Sequence, residues 1–218
     1  MVIQITDDAL NYTKELFQKM ENEVELIVFT TQNHCLFCNE LSELIATVAD
    51  LSSKIKVTHY VRETDTAEAK KYRIDKHPAI VVRGKNDFNV RFFGLPGGLE
   101  YGSFIETIVD VSTGNPELQE ATIEKISQIT EPVHMQVFVT PMCPYCPQQV
   151  RLVHKLAIIN PNITGDMVEA MEFQELAAEY DVLGVPKTVI NEELHLEGAI
   201  PEPMFVNKIL EFLEKKDK

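Results

Sequence analysis

The sequence predicts an α/β protein built from two tandem copies of one unit, each with a mixed central sheet flanked by helices. Two observations carry this prediction. Three landmarks of the sequence recur at one fixed offset, and the same alternation of helical and extended patterns follows in both halves. The length of 218 residues leaves one or two domains open, so the repeat decides between them.

The repeat has an offset of 108 residues. The recurring landmarks are the Cys-x-x-Cys motifs at 35–38 and 143–146, the tyrosines Tyr72 and Tyr180, and the prolines Pro78 and Pro186. A shared spacing of three separate features indicates a duplicated domain. We therefore expect one unit at 1–115 and a second at 116–218, joined at the turn-forming residues 112–116.

Each half begins with an amphipathic helix, which is followed by a buried strand. The apolar spacing places on the inward faces of these helices Ala9, Tyr12, Leu16 and Met20 in the first half and Leu118, Ala121, Ile126 and Ile129 in the second. Short runs rich in β-branched and aromatic residues then predict strands at 24–30 and 133–140.

The remaining elements also occur once in each half. They are a helix at 39–51 and 148–159, a strand at 55–61 and 166–171, a charged helix at 66–72 and 172–180, strands at 79–83 and 188–190, strands at 90–93 and 194–197, and a closing helix at 103–111 and 204–213. Strand, helix and strand, followed by helix, hairpin and helix, give a mixed sheet with helices on both faces.

The charge of the chain excludes some classes of partner. Acidic residues number 34 and basic residues 20, for a net charge of −14. Nucleic acids and anionic membrane surfaces need a concentrated positive surface, so we expect neither as a partner. No apolar run approaches the roughly 18 residues that span a bilayer, and the first residues do not resemble a signal peptide. We expect a cytoplasmic protein.

Each cysteine pair lies where a predicted strand passes into a predicted helix, which favours thiol chemistry. The first cysteine is then near the helix N-cap, where unpaired N–H groups and the helix dipole stabilise a thiolate, the species that attacks disulfides. The second cysteine follows one turn later and can release a mixed disulfide. We expect Cys35 and Cys143 to be the nucleophiles, and Cys38 and Cys146 the resolving thiols.

Other uses of four cysteines stay open at this point. Two Cys-x-x-Cys motifs are able to form a zinc site, although a whole domain copy separates them, and we expect no metal. Structural disulfides are discouraged in the cytoplasm, except in hyperthermophiles. A single cysteine is often buried and chemically inert. Two cysteine pairs at matching positions of a repeat are much less often inert.

These residues resemble the thioredoxin superfamily, in which a redox pair at a strand-to-helix junction is followed by a proline, a hairpin and a helix. Cys-Pro-Tyr-Cys at 143–146 is the form typical of glutaredoxins. Two intact pairs in tandem are similar to the glutaredoxin-like protein disulfide oxidoreductases of thermophilic archaea and bacteria. The sequence segments 93–98, 139–147 and 165–170 are also similar to that family.

The resemblance implies a function and a substrate site. It implies a thiol–disulfide oxidoreductase acting on protein disulfides, with redox-active disulfides Cys35–Cys38 and Cys143–Cys146 and no bound cofactor. It also implies cis bonds before Pro78 and Pro186, with an extended substrate held by the backbone there. The substrate-binding residues implied are His77, Pro78, Val185 and Pro186.

The resemblance further implies protein disulfides as partners, together with a thioredoxin-reductase-like flavoprotein that uses NAD(P)H. One alternative is a dedicated electron carrier between such a reductase and a peroxidase. Another is a peptide-binding chaperone module in which the cysteines are secondary. The direction of electron flow depends on reduction potentials, which the sequence does not give.

The sequence also departs from the thioredoxin pattern. The buried Asp that thioredoxin places six residues before its first cysteine is replaced by Phe29 and Val137, so no proton acceptor for the resolving thiols is identified. Arg151 and Lys187 lie near the second motif in sequence and could contact glutathione, but we expect them to be solvated surface charges.

Overall fold

The computed structural model of the chain describes residues 5–86 and 89–216. In the first half the elements are α1 (Asp7–Phe17), β1 (Val24–Thr30), α2 (Cys38–Ala49), β2 (Ile55–Val61), α3 (Thr66–Lys71), β3 (Ala79–Arg83), β4 (Val90–Phe93) and α4 (Glu100–Thr113). In the second half they are α5 (Glu120–Ser127), β5 (Val133–Val139), α6 (Cys146–Ile159), β6 (Ile163–Glu169), α7 (Gln174–Glu179), β7 (Lys187–Ile190), β8 (Leu194–Glu197) and α8 (Glu202–Lys216).

All eight strands belong to one continuous sheet in the order β2-β1-β3-β4-β6-β5-β7-β8. Strands β3 and β7 are antiparallel to their neighbours, and the other pairs are parallel. The two halves therefore repeat the same strand order head to tail. They join where β4 pairs with β6, from Val90 opposite Gly165 to Phe93 opposite Val168.

Helices cover both faces of this sheet. The larger core lies between one face and α1, α2, α4, α5, α6 and α8, and the smaller core lies between the other face and α3 and α7. Alternate residues of β1 show the division, since Val28 packs in the larger core and Phe29 in the smaller. The predicted fold class is confirmed: two α/β units with mixed sheets flanked by helices.

Five strands, at 24–30, 55–61, 79–83, 90–93 and 194–197, have the bounds that the sequence predicts. Strand β6 begins three residues earlier than expected, at Ile163, because it pairs with β5 along its whole length. The expected division of the chain into 1–115 and 116–218 stays a prediction. Helix α4 ends in that region, where Gly114 takes a φ of 64°.

The predicted inward face of α1 is confirmed for Leu16, which packs against the larger core, and is wrong for Tyr12. Tyr12 is 44% exposed, whereas Thr13 and Phe17 are buried. The phenol of Tyr12 stays at the surface because its hydroxyl donates a hydrogen bond to Glu106. Met20 is buried as expected, but it lies beyond the end of the helix.

The second amphipathic helix is also shorter than the pattern suggests. Leu118 and Ile129 lie outside α5, and Ala121 is exposed, while Ile126 is buried. None of the helices in the described residues combines the length and the apolar character that crossing a bilayer requires.

Candidate redox site

The first cysteine pair follows β1 and forms a disulfide, with the Cα atoms of Cys35 and Cys38 5.7 Å apart. Both residues are partly exposed, and Leu36 between them is 53% exposed. Helix α2 begins at Cys38, with Phe37 as its N-cap residue. The first redox pair therefore lies in an open loop at the start of a helix.

The second pair follows β5 in the same way, with the Cα atoms of Cys143 and Cys146 5.5 Å apart in a disulfide. Unlike the first pair, it is almost closed to solvent, since Cys143 is 7% and Cys146 0% exposed. Met142 and Tyr145 beside it are 82% and 65% exposed. The two sites are unequal, with apolar side chains presented to solvent around the buried second pair.

The two helices begin at the second cysteines, Cys38 and Cys146, one and two residues earlier than the predicted starts at 39 and 148, and their N-cap residues are Phe37 and Tyr145. Helix α6 begins at Cys146 after Tyr145, and Pro147 occupies its first turn. Because a disulfide joins each first cysteine to a residue at the first helical position, all four sulfurs lie at a helix N-terminus. The dipole argument for a stabilised thiolate therefore still applies.

Each proline immediately precedes a strand that pairs with the strand before a cysteine pair. Pro78 precedes β3, which pairs with β1, and Pro186 precedes β7, which pairs with β5. The bonds His77–Pro78 and Val185–Pro186 are both cis, as the resemblance implies. Ala79, after the first proline, pairs with Phe29 of β1, and Lys187, after the second, pairs with Phe138 of β5. The strand register thus brings Pro78 to the first motif and Pro186 to the second.

His77 is half-buried, and neither ring nitrogen has a hydrogen-bond partner among the described residues. Burial, followed by the positive charge of Arg62, lowers the pKa of His77 below its usual value. The imidazole is therefore neutral near pH 7 and offers no positive charge to a thiolate. Val185 holds the equivalent position in the second site.

Both sites lie along one edge of the sheet. Strands β1, β4, β6 and β5 run in the same direction, so their carboxyl ends lie at the same edge. Strands β3, β4 and β6 separate β1 from β5, which places the ends of these two strands about 19 Å apart at normal strand spacing. The loops that end β4 and β6 lie between the two sites.

These central loops cross from one half to the other. The loop after β4 reaches the second site, where the Leu99 amide donates to the Pro141 carbonyl at 2.9 Å. The segment after β6 reaches the first site, where Glu172 shares a cavity of about 620 Å³ with His34 and Leu36, the neighbours of Cys35. Each half therefore contributes to the surroundings of the other half's cysteines.

Each crossing segment carries a carboxyl group with one buried oxygen that has no partner among the described residues, and neither group was identified from the sequence. Glu100 is 2% exposed in the first turn of α4, beside the second site. Its Oε2 accepts a hydrogen bond from Ser103, and its Oε1 has no partner among the described residues. Burial raises the pKa of Glu100 to about 7, although the Ser103 hydrogen bond opposes this. Glu172 is the corresponding carboxyl at the first site.

The expectation of solvated charges near the second motif is wrong for Lys187. This residue is 4% exposed, and its Nζ donates to the Asp181 carbonyl at 2.9 Å. Arg151 forms ion pairs with Glu106 and Asp110 of α4. Both cations are therefore already engaged within the protein.

The fold and the two disulfide sites are similar to those of dithiol–disulfide proteins of the thioredoxin type. Residues 133–211 match the family model of the thioredoxin domain. The chain superposes on the crystal structure of a protein disulfide oxidoreductase from Aeropyrum pernix K1 with a TM-score of 0.88 and 29% identity, covering 95% of this chain and 93% of that one. The chain thus has the tandem fold of that protein disulfide oxidoreductase, in agreement with the resemblance, and its second half matches the thioredoxin domain.

Further similarity is found to the alkyl hydroperoxide reductase AhpF. The NTD_N/C domain of AhpF from Enterococcus faecalis has the same fold, with a TM-score of 0.88 and 24% identity over 94% of this chain and 99% of that one. The corresponding alkyl hydroperoxide reductase protein of Staphylococcus epidermidis is 26% identical over 203 residues, or 93% of this chain. The chain spans only 37% of the length of that relative.

Proposed function

We propose that the protein exchanges disulfides with protein substrates, using Cys35 and Cys143 as nucleophiles and Cys38 and Cys146 as resolving thiols. The observation that carries this proposal is the placement of each disulfide at a helix start, at the strand end where a cis-proline also lies. A protein of the reducing cytoplasm would use such pairs in their dithiol form.

The reaction moves two electrons from the dithiol to the substrate. The thiolate of the first cysteine attacks one sulfur of the substrate disulfide, and the other substrate sulfur leaves as a thiolate that takes a proton. The second cysteine then loses its proton and attacks the first, which restores the Cys-x-x-Cys disulfide. This step releases the second substrate sulfur, again to be protonated. The reverse sequence oxidises a substrate dithiol.

The residues before the prolines support binding of an extended substrate. In the part of the chain that the structure describes, the backbone amides and carbonyls of His77 and Val185 make no backbone hydrogen bonds. The proline carbonyls are already engaged, by Gly94 and Gly198. A substrate strand would therefore pair with His77 or Val185, a mode that recognises the backbone and accepts many sequences.

Reduction of insulin disulfides in the presence of dithiothreitol tests the proposal. We expect the wild-type protein to accelerate insulin precipitation above the dithiothreitol background, and the Cys35→Ser/Cys143→Ser double variant to return to that background. The two single variants are the matched controls and each should retain the activity of the other site. Full activity in the double variant would overturn the proposal.

A second candidate function is electron transfer between an NAD(P)H-dependent flavoprotein and a peroxidase. The similarity to alkyl hydroperoxide reductase over 93% of the chain favours it. The test is reconstitution with a thioredoxin-reductase-type flavoprotein, NAD(P)H, a thiol peroxidase and a hydroperoxide. Nucleotide oxidation that depends on this protein and is lost in the double cysteine variant would support the carrier function. Turnover slower than with insulin would contradict it.

A further inference from the structure

The α7 groove is a continuous surface channel that runs along α7 between the two redox sites. Its first part is the cavity of about 620 Å³ beside the first cysteine pair, where Leu36 lies in its wall. Its second part, of about 470 Å³, extends to Leu183 in the loop before the second cis-proline. Met171 and Gln174 line both parts. A segment lying in this groove would therefore pass directly beside the first redox pair.

The charged side chains of the α7 groove are mostly acidic. Among the described residues that line it, besides His34, one is basic, Lys76, and five are acidic, namely Asp75, Glu172, Glu175, Glu179 and Asp181. The ammonium group of Lys76 lies 2.7 Å from Asp75 and 4.2 Å from the centre of the Phe93 ring, so its charge is already engaged. The groove therefore presents an excess of negative charge.

Glu175 and Glu179 carry an exposed part of this charge at some cost to α7. They lie four residues apart on the helix, and neither forms an ion pair with another described residue. Like charges at this spacing oppose helix formation, and the helix dipole disfavours the negative charge of Glu179 in the last turn. An arrangement that does not stabilise its own helix indicates a role towards a partner.

The equivalent helix of the first half does not share this charge. At the repeat offset of 108 residues, Ala67 corresponds to Glu175 and Lys71 to Glu179. Helix α3 accordingly ends with basic residues, as the dipole favours. The acidic face is therefore not required by the common fold and is particular to the helix that lies between the two redox sites.

Exposed apolar side chains accompany the acids along the α7 groove. Leu36 is 53%, Met171 61% and Leu183 94% exposed, and covering such side chains with a partner is favourable. The described residues contain no group of three or more His, Cys, Asp and Glu that could hold a metal ion. The groove therefore suits a polypeptide segment with cationic and apolar side chains better than a free cation.

We propose that the α7 groove binds a cationic, partly apolar segment of the substrate protein and makes the first redox pair selective for disulfides beside lysine or arginine. The inference rests on the proposed function and names its substrate class. Backbone pairing at His77 accepts many sequences, so the preference for charge comes from the groove. The substrate cations lie near Glu175 and Glu179, where opposite charges accelerate encounter, and an apolar side chain contacts Met171.

The test isolates the first pair in the full chain with the background substitutions Cys143→Ser and Cys146→Ser. Three peptides of equal length carry one cysteine as a mixed disulfide with thionitrobenzoate, flanked by leucine with lysine, glutamine or glutamate. Release of the coloured thiolate by the reduced protein is followed in stopped flow at pH 7 and low ionic strength. We expect the lysine peptide to react about tenfold faster than the glutamate peptide, and this ratio to shrink in high salt.

In this background, Glu175→Gln with Glu179→Gln should lower the lysine-to-glutamate rate ratio about threefold or more and leave the glutamine peptide within about twofold. The matched control is Glu120→Gln with Glu124→Gln, which makes the same charge change at exposed positions with the same spacing. These lie on α5, which covers the other face of the sheet, and the ratio should be unchanged. Equal ratios in the two double variants would overturn the inference.

A fluorescently labelled lysine peptide with serine in place of its cysteine separates binding from chemistry. By anisotropy, the substitutions in α7 should weaken its binding about threefold or more, and those in α5 should not. This binding difference without thiolate release from any of the three activated peptides would overturn the proposed function and leave the groove in place. Insulin reduction with equal rates for the three peptides would overturn only the inference.

Discussion

Arg91 and Asp166 form a buried, bidentate ion pair across the β4–β6 junction between the two halves. Arg91 Nε lies 2.7 Å from Asp166 Oδ1, and its Nη2 lies 2.7 Å from Oδ2. His134 Nε2 lies 2.6 Å from the same Oδ2. The remaining donor group of Arg91, Nη1, binds the carbonyls of Tyr72 and Arg73. The β4–β6 junction therefore contains a fully engaged charge network besides its backbone ladder.

Replacing Asp166 should destabilise the whole molecule. Asp166→Asn leaves the Arg91 guanidinium buried without its counter-charge, a change that costs about 3–5 kcal/mol in similar pairs. The free energy of unfolding in guanidinium chloride at pH 7 measures this. Lys56→Gln is the control, because Lys56 and Glu23 form an ion pair in which both side chains are 62% exposed, and its effect should stay below about 1 kcal/mol.

The Arg91–Asp166 ion pair also makes the free energy of unfolding depend on pH in the acid range. Burial raises the pKa of Asp166, but the charges of Arg91 and His134 outweigh it and hold that pKa well below its usual range. Since the folded-state pKa is depressed, the stabilisation is complete above about pH 4 and is lost as the pH falls further. Asp166→Asn should remove this contribution, so the difference between variant and wild type should shrink in acid. A constant difference would contradict the assignment.

The two redox pairs should differ in accessibility after reduction. Cys35 is partly exposed, whereas Cys143 is 7% exposed, and alkylation requires an accessible thiolate. We expect iodoacetamide to modify Cys35 several-fold faster than Cys143 at pH 7, as measured by mass spectrometry in the Cys38→Ser and Cys146→Ser variants. Rates should become equal in denaturant. Faster modification of Cys143 in the folded protein would show that burial does not control the reaction.

Removing the charge of Glu100 should stabilise the protein in mild alkali. The pKa of Glu100 is raised to about 7 by burial, so folding loses stability as the pH rises from the unfolded value of about 4.3 through 7. Glu100→Gln should raise the melting temperature at pH 8 relative to wild type more than it does at pH 5. Glu15→Gln, at an exposed position of α1, should show no such trend. A pH-independent effect of Glu100→Gln would contradict the prediction.

Two glycines of the crossing loop and α4 should respond to alanine in opposite directions. Gly98 has a φ of 59°, and a Cβ there would lie 2.4 Å from the Pro141 carbonyl oxygen. Gly98→Ala should cost roughly 1–3 kcal/mol in the free energy of unfolding. Gly102 lies inside α4, and nothing lies within 4 Å of a Cβ placed there. Gly102→Ala should therefore stabilise the protein by about 0.5–1 kcal/mol.

Local patterns were enough to predict most strands and the repeated order of elements. Runs such as the one in β1 combine β-branched residues with a length typical of strands, and both copies carry them. The helix starts were harder to predict, because Phe37 and Tyr145 occupy the N-cap positions without a side-chain cap. Neither residue type marks a helix start in sequence.

Contacts between the halves were not predictable from the sequence. The first residues of β6, from Ile163, are extended because they pair with β5, and Asp166 in the same strand is buried against Arg91, 75 residues away. Glu100 and Glu172 similarly read as ordinary surface acids. Their burial depends on loops that cross the β4–β6 junction, and no periodicity in one half records a contact with the other.

The unbroken sheet also determines how electrons enter this molecule. Thiol–disulfide exchange proceeds only when sulfur meets sulfur, yet three intervening strands anchor the couples of β1 and β5 at a fixed span. Within one molecule, the cysteine pair after β1 therefore does not reduce the pair after β5, and the reverse reaction does not occur either. Each cysteine pair must therefore be reduced separately by an external donor. Electrons pass between the two kinds of pair only when two different molecules come into contact.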